Sequence, residues 1–196
     1  MNKEQFWSII DEVRNEVMAE TDDIEEMVEP LVERLSQLSD VEIIRWGKIF
    51  ALYQKLSYKD NILAADYVIN DALSDDGFDY FRAWITAHGK SVFLNALNNP
   101  DTLADLNPER LETWCEEMIY ASSMAYSQKH SSDTEAEDRY YDEYDKYTLS
   151  AEEIAEIEAE ILYANNAISA DEQNFDWEED ENLLRKMLPK LSEMFM

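Results

Sequence analysis

The sequence predicts an all-α protein, a single compact domain of about seven to nine helices spanning residues 1–196 and packed around a central aromatic helix. Three observations support this fold class. Only 3 glycines and 4 prolines occur in 196 residues, few for an all-β fold that needs many tight turns. Apolar residues recur at spacings of three and four, the period of an amphipathic helix. A chain of this length can also bury roughly 70% of its unfolded surface, enough for one core.

The first part of the chain predicts four helices. The first helix is indicated by apolar residues at helical spacing, namely Phe6, Ile9, Ile10, Val13 and Val17. A second helix follows from Asp23, and Pro30 predicts a kink or a restart within it because proline removes a helical hydrogen bond. Asp40 is placed to cap a third helix, and Asp60 begins a fourth.

The central helix is predicted from the stretch SDDGFDYFRAWITAHGK, residues 74–90. Ser74 can cap its first turn, and the two aspartates that follow suit the positive end of the helix dipole. Gly89 lies where a left-handed residue ends a helix. Large side chains cover two faces, Phe78, Phe81 and Ile85 on one, and Tyr80, Trp84 and His88 on the other. A helix that is apolar on two faces is expected to be surrounded by other helices.

The second part of the chain is predicted to form three further helices and two acidic connections. Asn107 and Pro108 are expected to start a helix that runs to about residue 128, with proline at its first position. Residues 129–149 are polar and lack periodicity, so they are predicted to form a long mobile loop. Ser150 begins the next helix, residues 169–181 form a second acidic connection, and a C-terminal helix is interrupted at Pro189.

The net charge of the chain limits the kinds of molecule that it is expected to bind. The chain has 45 acidic and 16 basic residues, a formal net charge of −29. Such a surface repels phosphate backbones and anionic membranes, so neither a nucleic acid nor a membrane is predicted as a partner. A basic protein is predicted instead, and a generally acidic proteome is the alternative explanation of the charge. The single cysteine, Cys115, fits a cytoplasmic protein, and no window approaches the ~20 apolar residues of a membrane helix.

One candidate site lies along the polar strip of the central helix. No hydrolase, nucleotide-binding or zinc motif is present, and with two histidines a histidine-rich metal site is excluded, so no cofactor or metal is predicted and catalytic residues stay unknown. The predicted ligand-binding residues are Asp75, Asp76, Asp79, Arg82, Trp84 and His88. In this interpretation the aspartates act as bases or ligands and Arg82 holds an anion. The alternative is structural, with the aspartates as caps and an Asp79–Arg82 pair.

A second candidate site is the acidic tract between Ser132 and Glu160, which contains twelve acidic and two basic residues. Acidic runs are commonly solvated surface. Interleaved tyrosines favour binding, because tyrosine supplies contact area at a low cost in conformational entropy. The predicted partner-binding residues are Asp138, Tyr140, Tyr141, Asp142, Glu143, Tyr144 and Asp145.

The central stretch also carries a resemblance. The motif SDDGFDYFRAWI is preceded by an alanine pair and followed by a spaced set of small and apolar residues; the matching positions are Ala64, Ala65, Tyr67, Ile69, Asn70, Gly89, Phe93, Ala96, Pro100, Asp101, Leu103 and Ala104. With these residues the chain resembles a bacterial family catalogued as domain of unknown function 4240. The resemblance implies a mostly helical bacterial protein and supplies no activity.

Two functions are therefore carried forward. The first is a non-enzymatic cytosolic interaction protein, immunity-like or inhibitory towards a basic partner, in the manner of a DNA-mimicking nuclease inhibitor. The second is a small-molecule or anion-binding protein, or an enzyme, that uses the central helix.

Overall fold

The computed structural model describes residues 1–71, 74–165, 177 and 180–196, with the backbone alone for 163–165. These residues form eleven α-helices and two 3-10 helices, and no strand. In chain order the α-helices are α1 (Lys3–Val17), α2 (Val28–Ser36), α3 (Asp40–Leu56), α4 (Asp60–Asn70), α5 (Asp75–Ala87), α6 (Lys90–Asn98), α7 (Glu116–Lys129), α8 (Ala136–Lys146), α9 (Ala151–Asn165), α10 (Glu181–Met187) and α11 (Pro189–Phe195). The all-α prediction is confirmed, with somewhat more helices than predicted.

Proline positions account for part of the larger count. The second predicted helix divides into a 3-10 turn, Ile24–Met27, and α2, so that Pro30 falls in the first turn of α2, where no intrahelical donor is needed. At the C-terminus α10 ends and α11 begins with Pro189 at its first position. Both predicted interruptions are confirmed.

The predicted cap of the third helix is off by one residue. Ser39 caps α3, and its side chain accepts from the backbone N–H of Glu42 while the Glu42 carboxylate accepts from the backbone N–H of Ser39. Asp40 is the first helical residue instead. Its carboxylate pairs with Lys129 Nζ and with His130 Nε2, each at 3.1 Å, and so joins the start of α3 to the end of α7.

The predicted helix from Asn107 is wrong over its first half, because α7 begins only at Glu116. Asn107 and Leu111 have positive φ values of 51° and 67°, which an α-helix cannot accommodate. The backbone N–H of Leu111 donates instead to Asn70 Oδ1 at 2.9 Å. This segment is therefore held to α4 by a side chain distant in the sequence, and the local pattern gave no sign of it.

The predicted loop over residues 129–149 is also wrong, since most of it is the helix α8. Ala136 and Tyr140 are buried and Tyr144 packs against the core, at a spacing of four. The inward positions thus follow a helical period, but tyrosines occupy two of them and acidic residues surround them. The second acidic connection, residues 169–181, lies outside the described residues except at Trp177 and 180–181.

Helix α5 lies at the centre of the fold, as predicted. It contacts α3, α4, α6, α7 and the 3-10 turn before α2. Ser74 caps it by accepting from the N–H of Gly77 at 3.0 Å, and Gly89 follows it with a φ of 89°, a value that favours glycine. Neither α5 nor any other described helix has the length and apolar character needed to cross a membrane.

Candidate functional site: a tyrosine-lined cleft

A cleft of about 490 Å³ opens between α3, α5, α7 and α8. Five tyrosines line it, and we call it the tyrosine cleft: Tyr58, Tyr120, Tyr140, Tyr141 and Tyr144. Three of these side chains stand at its rim, where Tyr58 is 50%, Tyr120 44% and Tyr141 43% exposed. The cleft unites one residue pair from the predicted strip of α5 with three tyrosines from the predicted acidic tract, two sites that the sequence had kept apart.

Small residues on α3 and α7 make room for the cleft. Gly47 lets α3 approach both neighbours, because a Cβ there would lie 2.6 Å from Ser122 Oγ and 2.8 Å from the Tyr140 hydroxyl. Those two hydroxyl groups share a hydrogen bond of 2.7 Å. Ala51 and Ser123 also line the cleft, where their small side chains occupy little space. The position of α8 against α3 and α7 thus depends on the absence of a side chain at residue 47.

The tyrosines of α8 form one wall of the cleft and join this helix to the body of the protein. Tyr140 packs edge-on against Tyr126 of α7, with ring centroids 5.6 Å apart. The Lys48 ammonium lies 3.7 Å from the centroid of the Tyr144 ring, a cation–π contact. Burial raises the pKa of the Tyr140 and Tyr144 phenols and lowers the pKa of Lys48. The phenols therefore remain neutral at physiological pH.

The predicted pair of Asp79 and Arg82 lies at the edge of the cleft. The Arg82 side chain is only 5% exposed, whereas Asp79 is 51% exposed. The terminal nitrogens of Arg82 donate to the Asp79 carboxylate and to the backbone carbonyl of Gln54. Its guanidinium carbon lies 4.7 Å from the Phe78 ring centroid and 5.0 Å from that of Tyr58. The structural pair of Asp79 and Arg82, the alternative offered by the sequence, is thus present at this position.

The other aspartates of the strip lie apart from the cleft. Asp75 and Asp76 are exposed on the first turn of α5. Asp76 lines a second depression, together with Glu25 and Trp114 among others. Burial and the neighbouring acids raise the pKa of Glu25 there.

Trp84 and His88 are parts of the core. The Trp84 ring is buried and stacks on Phe81, with centroids 5.8 Å apart and an interplanar angle of 14°. His88 packs edge-on against Trp84, and its Nδ1 donates to the Trp84 carbonyl oxygen at 2.9 Å. Burial lowers the pKa of His88 to about 4. Neither side chain lines the cleft.

The acidic residues of α8 do not line the cleft. Asp138, Asp142 and Asp145 are exposed, and Glu143 is half-buried. Helix α8 therefore has two faces, an inner face of tyrosines and an outer face of acids. Of the seven residues predicted to bind a partner, Tyr140 lies in the core and Tyr144 packs against it, whereas Tyr141 remains at the surface.

Sequence reasoning missed a buried carboxylate. Asp66 on α4 is 1% exposed, and burial raises its pKa to about 7. Asn70 Nδ2 donates to Asp66 Oδ1 at 2.6 Å and lies 2.8 Å from Thr113 Oγ1. Its spacing of four from the buried Ile62 was the available signal, since both fall on the inner face of one helix.

The described residues contain neither a cluster of metal-binding side chains nor a cysteine that ionises readily. No group of three or more histidine, cysteine or acidic side chains there is arranged to hold a metal ion. Cys115 is buried, and burial raises its pKa to about 12, so the reactive thiolate is strongly disfavoured.

The structure is therefore that of an all-α protein with a preformed cleft. The family model for a protein of unknown function, family 4240, matches residues 1–128, and the chain belongs to this family. No curated protein matches the chain, and no solved structure matches it either. The matched segment contains α3, α5 and α7, whereas α8 lies beyond it.

Proposed function

We propose that this chain is a non-enzymatic interaction protein of the bacterial cytoplasm, immunity-like or inhibitory, and that the outer face of α8 binds a basic protein partner. Nucleases and other nucleic-acid-binding proteins carry basic surfaces that face phosphate, and an ordered acidic helix is complementary to such a surface.

The two faces of α8 carry this proposal. Its inner tyrosines pack against α3 and α7, so that Asp138, Asp142 and Asp145 are displayed from a helix that is already folded. A preorganised surface loses less conformational entropy on binding than a loop that must first become ordered. The acids are therefore presented in a fixed pattern, which is the condition for recognising one particular basic surface.

Exposed aromatic residues beside the acids supply contact area. Tyr141 lies on α8 itself, and Tyr120 on α7 stands at the same cleft, with Met124 exposed one turn further along α7. Interface centres are enriched in tyrosine and methionine, and a charged rim around them increases the association rate and the specificity.

The geometry gives less support to an anion-binding protein. The charge of Arg82 is matched by Asp79, and both of its terminal nitrogens already donate within the chain. A free anion would have to displace these bonds while approaching a molecule with a net charge of −29.

The proposal is tested with two variants of equal net charge. One carries Asp138→Asn, Asp142→Asn and Asp145→Asn on α8; the control carries Glu152→Gln, Glu156→Gln and Glu158→Gln, which are exposed on α9. Each variant and the unmodified protein are immobilised, exposed to native lysate, and compared by quantitative mass spectrometry. We expect a basic protein to be retained by the unmodified protein and the α9 variant, and lost with the α8 variant. Equal retention by all three would contradict the proposal.

A further inference from the structure

We propose that the tyrosine cleft is a second binding site, for a planar aromatic molecule that carries no negative charge. This site lies on the inner side of α8 and shares Tyr120 and Tyr141 at its rim with the surface proposed to bind a partner, but the inference does not depend on that partner.

The size and shape of the cleft fit a small molecule. Its volume of about 490 Å³ lies within the range of roughly 300–1,000 Å³ that is usual for such sites. Its space exists in the folded chain, where the small side chains of Ala51 and Ser123 line it between larger ones. A flat ring could therefore enter without unfolding α8.

The aromatic lining selects a planar ligand. Among residues with described side chains, the tyrosines more than a third exposed are Tyr58, Tyr120 and Tyr141, and all three line this cleft. Exposed aromatic side chains are costly to leave in water, and aromatic rings gain by stacking or edge-to-face contact with another ring.

Two side chains that line the cleft contain a polar atom without a hydrogen-bond partner among the described residues. Arg82 is 4% exposed, and its Nε has no hydrogen-bond partner among the described residues; the same is true of Gln54 Oε1. Both residues line the cleft. Buried polar atoms rarely remain without a hydrogen bond, and these two belong to side chains that line the cleft. Asp79, half-exposed beside them, retains capacity to accept a hydrogen bond.

The charges around the cleft favour an uncharged or cationic ligand over an anion. Three charged side chains line it: Asp79 matches the charge of Arg82, and Lys55 is exposed to solvent, where salt screens its attraction for an anion. The Lys48 ammonium nearby already lies against the Tyr144 ring. The faces of tyrosine rings carry negative electrostatic potential, which attracts cations and repels anions. An uncharged ring, or one that bears an ammonium group able to reach Asp79, is therefore the class of ligand that fits.

Three isosteric probes test the inference: naphthylmethanol, naphthylmethylamine and naphthoate, each titrated into the full chain by calorimetry. We expect the alcohol and the amine to bind saturably at one site, and the carboxylate to bind at least about tenfold more weakly. No saturable binding of the alcohol and the amine, or equal binding of the carboxylate, would overturn the inference.

Variants locate the site. Ala51→Trp, at an exposed position of the cleft, should fill the space and abolish binding of the alcohol and the amine. Tyr120→Ala should weaken binding, whereas Met124→Ala, one turn further along α7 and outside the cleft, should leave it unchanged. Circular dichroism and the denaturation midpoint establish that each variant is folded. Binding that survives both Ala51→Trp and Tyr120→Ala would place the probes elsewhere and overturn the inference.

Discussion

Arg82 shows how one residue combines the two roles that the sequence left open. Its side chain is buried, yet its charge is matched by an aspartate three residues earlier and its second terminal nitrogen donates to the Gln54 carbonyl. The i,i+3 spacing made the pair predictable from the sequence. The contact with Gln54, which lies on a different helix, could not be predicted, because no local pattern indicates which helix will face α5.

The Asp79–Arg82 pair predicts which of two variants is the less stable. Arg82→Met removes the hydrogen bonds of a charged donor to Asp79 and to the Gln54 carbonyl, which keeps its bond from Ser57 Oγ, and should lower the free energy of unfolding by about 1–3 kcal/mol. Asp79→Ala should lower it further, although Asp79 is the more exposed partner, because it leaves a buried guanidinium without its counter-charge. Urea denaturation of both variants checks this order. A smaller effect for Asp79→Ala than for Arg82→Met would mean that solvent already neutralises Arg82.

Asp66 predicts a pH dependence of stability. Burial raises its pKa in the folded protein to about 7 from the ordinary value of 3.8. Its contribution to stability is therefore fully present below pH 3.8 and is lost progressively as the pH rises from 3.8 to about 7, since the carboxyl then ionises in the unfolded chain and stays protonated in the folded one.

The matched variant is Asp66→Asn, whose amide cannot ionise. We expect the fall in the free energy of unfolding between about pH 4 and pH 7 to be smaller in Asp66→Asn than in the unmodified protein, because the native and unfolded states bind different numbers of protons at Asp66 only in this range. Denaturant titrations at a series of pH values measure both curves. Parallel curves would show that Asp66 does not titrate in this window.

At the scale of the element, α8 explains why part of the site could not be predicted. Aliphatic periodicity located the helices of the core, such as α1, and proline located the breaks. In α8 the inward positions carry Tyr140 and Tyr144 among acids, a composition that resembles an irregular loop. The cleft itself was unpredictable for a different reason, since its walls come from four helices distant in the sequence.

Adjacent tyrosines test whether α8 is attached as described. Tyr140→Ala removes the buried ring and its hydrogen bond to Ser122, so the amides of α8 should exchange with solvent faster. Tyr141→Ala, at the next and exposed position, should leave their exchange unchanged. Hydrogen exchange followed by mass spectrometry measures the difference. Equally fast exchange in both variants and in the unmodified protein would show that α8 is not held to the body.

At the scale of the whole molecule, the net charge of −29 acts in two ways. It gives a general attraction for any basic molecule, and this attraction depends on the total charge and the salt concentration. The acidic face of α8 adds a local pattern, which depends on where the acids lie. A specific partner requires the second effect, and only variants of equal net charge can separate it from the first.

The proposed role of the acidic face of α8 is tested most directly by the rate at which the chain associates with the basic partner retained in the lysate experiment. It is determined by stopped flow at several salt concentrations for the unmodified protein and for the α8 and α9 variants. We predict a lower rate and a shallower salt dependence for the α8 variant alone, because exposed charges further than about 8 Å apart are largely screened at 0.15 M salt. Equal losses in the two variants would contradict the account, since total charge and not the face of α8 would then govern binding.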